Sequence, residues 1–227
     1  MDLSPAAEPN ADCPTCLGDG VIVVAKGDGA HASVCSCVPV CRRCQQTGRV
    51  AFQEGNETLM GRCLCQRLVD RVQMFNQSGI PARYAHASLR SFMAGGRQFN
   101  DPQKTKAVMK AFEWLGTFNE SPTRASAKGL ILHGPVGRGK THLLIGIIRT
   151  LIFQHGIPAR FIEFSRLLSK LKEGYGQGRS DTDLLGDLAK VPVLGIDELG
   201  KGRMTDWELT IIDEVISRRY NAMACTL

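Results

Sequence analysis

Apolar positions along the chain fall into short runs and longer periodic stretches, and the two patterns separate strands from helices. Residues 129–133 (GLILH), 158–164 (PARFIEF) and 191–199 (VPVLGIDEL) are apolar runs of strand length. Helical stretches cover about 103–118, HLLIGIIRTLIF at 142–153, a segment from about Ser165, and a run ending in SRRY at 217–220. MACTL, 223–227, reads as the opening of a further strand. Trp114 and Trp207 fall on predicted helices and read as packing residues. Near the start, VIVVAKGDGAHASV (21–34) has the shape of a hairpin flanked by cysteines. The predicted organisation is a disordered start (1–12), a cysteine-rich region (13–71) that closes on a basic helix start, a linker (72–100) and an α/β domain (101–227).

The strand at 129–133 runs into GPVGRGKT and then an apolar helix, the order in which G-x4-G-K-T forms a phosphate-binding loop. Gly134, Pro135, Val136, Gly137, Arg138, Gly139, Lys140, Thr141 and His142 are the predicted nucleotide contacts. The glycines let backbone N–H groups curl around phosphates, and the helix N-terminus adds its positive end. Lys140 is placed to reach the β and γ phosphates of ATP, and the Thr141 hydroxyl to ligate Mg²⁺. Asp197 and Glu198 close the third strand at its C-terminal end, where ligands sit in an open α/β sheet. Asp197 suits the Mg²⁺ shell, and Glu198 suits activation of the attacking water, against a competing reading as a solvated loop carboxylate. KLKEGYGQGRSD (170–181) reads as a mobile linker, with contact to single-stranded DNA through Tyr175, Lys170, Lys172 and Arg179 as the sharper alternative.

Shifting the chain by 28 positions lays Cys13, Cys16, Cys35 and Cys37 on Cys41, Cys44, Cys63 and Cys65, and Gly20 on Gly48. Both copies read C-x2-C, eighteen residues, C-x-C. Each is expected to be a structural Zn²⁺ site, because four thiolates fill a tetrahedron and leave no position for substrate. CSCVPVCRRC (35–44) is then a seam between two sites. His31 reads as a solvated loop residue and Cys225 as a core residue.

The chain has 227 residues, 43% of them apolar, and nine cysteines with no secretory signal pattern. That combination points to reduced thiols in a cytoplasmic protein, and the longest apolar runs are far below membrane-spanning length. The formal charge is +6, but two tetrathiolate zinc sites would each carry about −2. Net charge therefore makes no case for nucleic acid. Its distribution is uneven: residues 1–40 hold Lys26 against five acids, whereas 41–71 hold Arg42, Arg43, Arg49, Arg62, Arg67 and Arg71 against three. Those arginines are expected to face a nucleic acid or an acidic protein, with a solvated basic face as the bland alternative.

CPTCLGDG resembles the zinc knuckles of DnaJ-type chaperones, of which CRRCQQTG keeps part. From IPARYAHASLRSF (80–92) through GPVGRGKTHLL to GIDELGKGRMTDWELTIIDEVISRRY, the chain resembles the AAA+ helicase loaders of the DnaC and DnaI type, a group that includes the IstB transposition ATPases. The resemblance implies a P-loop AAA+ parallel sheet with flanking helices, preceded by the tandem zinc-ribbon region. It implies ATP-dependent loading of a replicative helicase, contact with single-stranded DNA, and homo-oligomerisation of the full-length protein. It also places Tyr84 to Phe92 near the adenine, and the strand begun by MACTL between the P-loop strand and the Asp197 strand. A sensor residue, a fifth strand, an arginine finger and lid helices are part of that family pattern and lie beyond the last strand begun here, so the given sequence is expected to be C-terminally truncated. The expectation is a sheet incomplete at the C-terminus that binds ATP and hydrolyses it poorly, since such fingers are worth about 10³ to 10⁵ in rate. Two other readings stand beside the loader: a transposition helper ATPase, and a zinc-dependent adaptor with a vestigial nucleotide domain.

Overall fold

The computed structural model describes residues 8–55, 57–94, 102–120, 128–176, 181–200 and 205–227, without the side chains at 54, 119, 120, 175, 176 and 181–184. Arg179, the Tyr175 side chain, residues 1–7 of the predicted disordered start and residues 201–204 of the long signature lie outside the described residues.

Each cysteine-flanked segment is an antiparallel hairpin: β1 (Val21–Lys26) with β2 (Gly29–Val34), then β3 (Arg49–Glu54) with β4 (Glu57–Arg62). The registers are the same after the shift of 28, Val21 facing Val34 as Arg49 faces Arg62. Helix α1 (Gln66–Asn76) begins directly after Cys65, and a 3-10 turn (Ala82–Tyr84) leads to the short α2 (Leu89–Ala94). His31 lies within β2 opposite Val24, not in a loop.

After α3 (Pro102–Glu120) the nucleotide fold follows: α4 (Lys140–Thr150) running into a π turn (Leu151–His155), β5 (Ala159–Glu163), α5 (Phe164–Gly176), α6 (Asp181–Lys190), β6 (Val193–Asp197), α7 (Asp206–Asn221) and β7 (Cys225–Thr226). Helix α7 starts where the sequence supplies a capping box: Thr205 N donates to Glu208 Oε2 (2.8 Å), and Glu208 N to Thr205 Oγ1 (3.4 Å). The strands form a parallel sheet in the order β5–β6–β7. Helices cover both faces. Val193 packs with α3 and α4, whereas its neighbour Leu194 packs with α5, α6 and α7, because successive strand residues point to opposite faces. Helix α4 is buried at every position from Leu143 to Ile148.

The predicted strand 129–133 joins the sheet by one bond, from Leu130 N to Thr226 O (3.2 Å), and carries no ladder. The approach is close: a Cβ on Gly129 would collide with Thr226 O. β7 thus lies between β6 and the P-loop segment, the order that the resemblance implies.

The stretch expected as a linker is folded through residue 94. Phe75, Ile80, Ala85, Ala87 and Leu89 are buried in one core with α3 and α4, and so are Val21, Ala30 and Ala32 of the first hairpin. The hairpin of the first cysteine unit is therefore part of the main core, although its cysteines cluster separately with Ile22 and Val38, as Cys41, Cys44 and Cys63 of the second unit do with Val50 and Cys65. Among the described residues, no helix is long and apolar enough to cross a membrane.

Candidate nucleotide site and metal centres

The loop between residue 133 and α4 is made by three glycines with positive φ, Gly134 (151°), Gly137 (79°) and Gly139 (83°), the last capping α4. Such angles cost glycine little and turn backbone N–H groups toward the loop's concave side. Lys140 Nζ donates to the carbonyls of Gly134 (2.8 Å) and Pro135 (2.9 Å), so the ammonium stands over the loop. Thr141 Oγ1 donates to Asp197 Oδ2 at 2.7 Å, joining the start of α4 to the end of β6. Asp197 is buried, and the next residue, Glu198, is half-buried with φ +59°. A non-glycine residue in that left-handed region costs about 1–2 kcal/mol, which argues against an unconstrained loop carboxylate. Val136 is almost fully exposed.

His142 faces away from the loop. Its Nε2 lies 2.9 Å from Ser91 Oγ and 3.2 Å from Ser88 O, and Phe92 meets its ring edge-on. Burial lowers its pKa, partly opposed by the Ser88 carbonyl, so the ring is neutral at pH 7. Helix α2 is thereby tied to the P-loop helix. The fit is allowed by Gly146, where a Cβ would meet Leu89 and Ser88 atoms at 2.9 to 3.1 Å.

The eight paired cysteines gather into two tetrads, Cys13, Cys16, Cys35 and Cys37, then Cys41, Cys44, Cys63 and Cys65, with sulfurs all within 4.8 Å of one another. The repeat extends to the backbone. Leu17 N donates to Cys13 O as Gln45 N does to Cys41 O (both 2.8 Å), and Cys35 N to Gly20 O (2.9 Å) as Cys63 N to Gly48 O (2.8 Å). Leu17 and Gln45 share positive φ (53° and 47°), so CRRCQQTG forms the knuckle although Gln46 (φ 69°) stands where the first copy has Gly18. Four soft donors at this spacing fit a tetrahedral metal such as zinc. Backbone N–H groups from Cys16 and Thr15 lower the Cys13 pKa to about 6, and Cys44 and Arg43 amides do the same for Cys41. Burial raises Cys37 and Cys65 to about 12.

Of the six arginines expected on one basic surface, two are engaged elsewhere. Arg71 donates to the carbonyls of Phe153 (2.8 Å) and Gln154 (3.3 Å), fastening α1 to the π turn, and Arg62 pairs with Asp70 at 2.7 Å. Arg42, Arg43, Arg49 and Arg67 are exposed. Trp114 donates from Nε1 to Lys128 O (3.0 Å), and Lys172 lies over the Trp207 ring at 5.1 Å; both rings pack as expected. Cys225 is fully buried, outside either tetrad.

A family model described as IstB-like ATP binding protein matches residues 115–227. Residues 115–227 belong to the IstB-like ATP-binding family. The replicative helicase loader DnaC of Escherichia coli (strain K12) is 27% identical over 157 residues, covering 69% of this chain and 60% of that protein. The phage-like element PBSX protein XkdC of Bacillus subtilis (strain 168) is 28% identical over 190 residues, covering 79% and 67%. The crystal structure of the DnaC helicase loader aligns with TM-score 0.53 and 28% identity, covering 63% of this chain and 76% of that one. The chain thus spans about 60% of the length of the DnaC loaders that it matches.

Within this IstB-like domain, Arg219 is the residue whose part sequence reasoning missed. It is 1% exposed and has no carboxylate partner among the described residues. Nε donates to Thr226 Oγ1 (2.9 Å), one terminal nitrogen to the carbonyls of Leu188 (2.6 Å) and Val191 (2.9 Å), and the other to Cys225 O. Burial lowers its pKa to about 10, which leaves it charged at pH 7. A signal was present. Ile211, Val215 and Arg219 share one helical face at spacing four, and a charged residue on a buried stripe needs a reason.

Proposed function

We propose that this chain is an ATP-driven loader that places a replicative helicase on DNA. The observation that carries the reading is the Thr141–Asp197 bond at 2.7 Å beside Lys140, which brings the parts of a phosphoryl-transfer site together in a family of ATP-binding proteins whose relatives include helicase loaders. Residues 134–141 would hold the nucleotide, with backbone N–H groups on the phosphates and Lys140 on the β and γ oxygens, whereas His142, expected among the contacts, is turned to α2. Thr141 and Asp197 hold Mg²⁺, and Glu198 is the base that orients the attacking water. Mg²⁺, when bound by those residues, would neutralise phosphate charge; the chain's own residues set the geometry. The two cysteine tetrads hold one structural zinc each. Single-stranded DNA and further copies of the chain are the remaining partners that this reading requires.

The test is helicase loading onto single-stranded DNA by the full chain and its variants. Lys140→Ala abolishes nucleotide binding and loading. Glu198→Gln keeps ATP binding and lowers turnover by about 10² or more. Loading unchanged in Lys140→Ala would refute the ATP-driven reading and favour the zinc-dependent adaptor. Assembly with a transposase in place of a helicase would favour the transposition helper.

A further inference from the structure

The two zinc hairpins share one register but differ in what borders them. On the outer edge of β2, Ala30 N donates to Ile80 O (2.8 Å), Gly29 bridges Pro81 in antiparallel fashion, and Ala82 N donates to Asp28 O (2.9 Å). The Asn76 carboxamide brackets Ala32, accepting from its N (2.7 Å) and donating to its O (3.1 Å). The chain's own residues 80–82 therefore lie against the first hairpin as a short third strand. Shifted by 28, the Ala30 and Ala32 groups used there fall on Thr58 and Met60 of β4, and Gly29 falls on Glu57. That sheet stays two-stranded, β4 is exposed from Glu57 to Met60, and among the described residues neither backbone has a partner beyond β3.

We propose that the edge of β4 takes an extended segment of a partner protein as its third strand. An edge strand is a template for such addition unless something covers or blunts it. The first hairpin is consumed in folding, and the second keeps the same geometry for docking. Side chains flanking the edge define the partner. One face of the hairpin carries Met60, Arg49 and Arg62, and the other carries Phe52 and Leu59. Phe52 is 42% exposed, Leu59 37% and Met60 61%. The segment that fits is apolar at alternate positions and carries a carboxylate toward Arg49.

Charge favours protein over nucleic acid. Residues 41–70 hold five arginines and three acids, 5 − 3 = +2, and a zinc tetrathiolate of about −2 brings the loaded unit close to zero. A phosphate-binding surface needs a net positive field, and single-stranded binding needs a row of aromatic platforms where this hairpin has Phe52 alone. Exposed Phe, Met and Arg without Lys match the composition of protein interfaces.

The docking inference rests on the loader reading, so the probe is a purified replicative helicase, immobilised and titrated with the zinc-loaded full chain in ATP and Mg²⁺. Thr58→Pro removes the outward N–H while leaving the β3 bonds intact, and Met60→Glu places a charge on the edge. Zinc content and thermal unfolding report folding in both. The expected result is an affinity loss of about tenfold in each variant, the scale of one or two interface hydrogen bonds, with ATP binding unchanged. Affinity kept within about twofold in both variants overturns the docking inference and leaves the loader reading standing. No helicase binding by the unaltered chain overturns both. A labelled oligo(dT) that loses binding in the variants while the helicase does not would assign the edge to nucleic acid. A variant that dissociates a dimer in sedimentation, with helicase affinity kept, would assign it to a second copy of the chain.

Discussion

Replacing Arg219 with methionine tests how the sheet is held next to the nucleotide site. The substitution keeps the helical propensity and much of the apolar stem but removes every donor of the guanidinium. Four acceptors lose their partner: Thr226 Oγ1 and the carbonyls of Leu188, Val191 and Cys225. A buried group left unsatisfied costs about 1–3 kcal/mol. Carbonyls tolerate under-satisfaction better than amides do, and methionine escapes the burial of a charge. The lower end of the range for three carbonyls gives about 3 kcal/mol. For a chain of this size that corresponds to a fall in Tm of about 6–12 °C, read by circular dichroism at 222 nm. Because β7 lies between β6, which ends in Asp197, and the P-loop segment, ATP affinity should fall with it. Arg219→Lys, which can satisfy one or two of the acceptors, should lose less. A loss below about 1 kcal/mol in Arg219→Met would show that the carbonyls find other partners, and the account of Arg219 as the clamp on β7 would be wrong.

Further expectations follow from the same geometry. Gly146→Val should push α2 off α4 by forcing a side chain into Leu89 and Ser88, costing about 1–3 kcal/mol in chemical denaturation; an unchanged midpoint would mean that α2 yields freely. Zinc uptake at pH 7 should release fewer protons per site than a fully protonated tetrathiol would, because Cys13 and Cys41, lowered to about 6, are already ionised. Calorimetry in buffers of different ionisation enthalpy reads that number. The sign of the pH dependence follows: the folded pKa of these two thiols lies below the ordinary 9.0, so their stabilisation of the metal-free knuckles is present above pH 9 and is lost as pH falls toward 6. Asp197→Asn should keep the fold, since the Thr141 hydroxyl can still donate to the amide oxygen, while Mg²⁺-dependent ATP affinity falls by about tenfold or more, read by fluorescence titration.

Local chemistry made much of this protein legible in its sequence. The C-x2-C and C-x-C pairs at a repeat of 28, the glycines of GPVGRGKT and the apolar runs ending at Asp197 each depend on neighbours a few residues away. Spacing alone is enough to specify a knuckle, a phosphate loop or a strand. Where the sequence was silent, the determinant lay between elements. Nothing in CRRC or RLVDR distinguishes Arg42, which is exposed, from Arg71, which holds the π turn through two carbonyls. Residues 72–94 look like a linker because their burial comes from α4 and the first hairpin, not from their own period.

By itself, then, the sequence determined the class of fold, the two cysteine tetrads and the glycine loop that opens α4, because backbone conformation and ligand spacing are properties of short segments. Only the tertiary structure decided which copy of the repeat is buried and which is free, that His142 serves α2 instead of the loop, and that a charged Arg219 closes the sheet from inside. Those outcomes depend on which backbone groups are left without partners once elements pack, and unpaired groups exist only after the chain has folded.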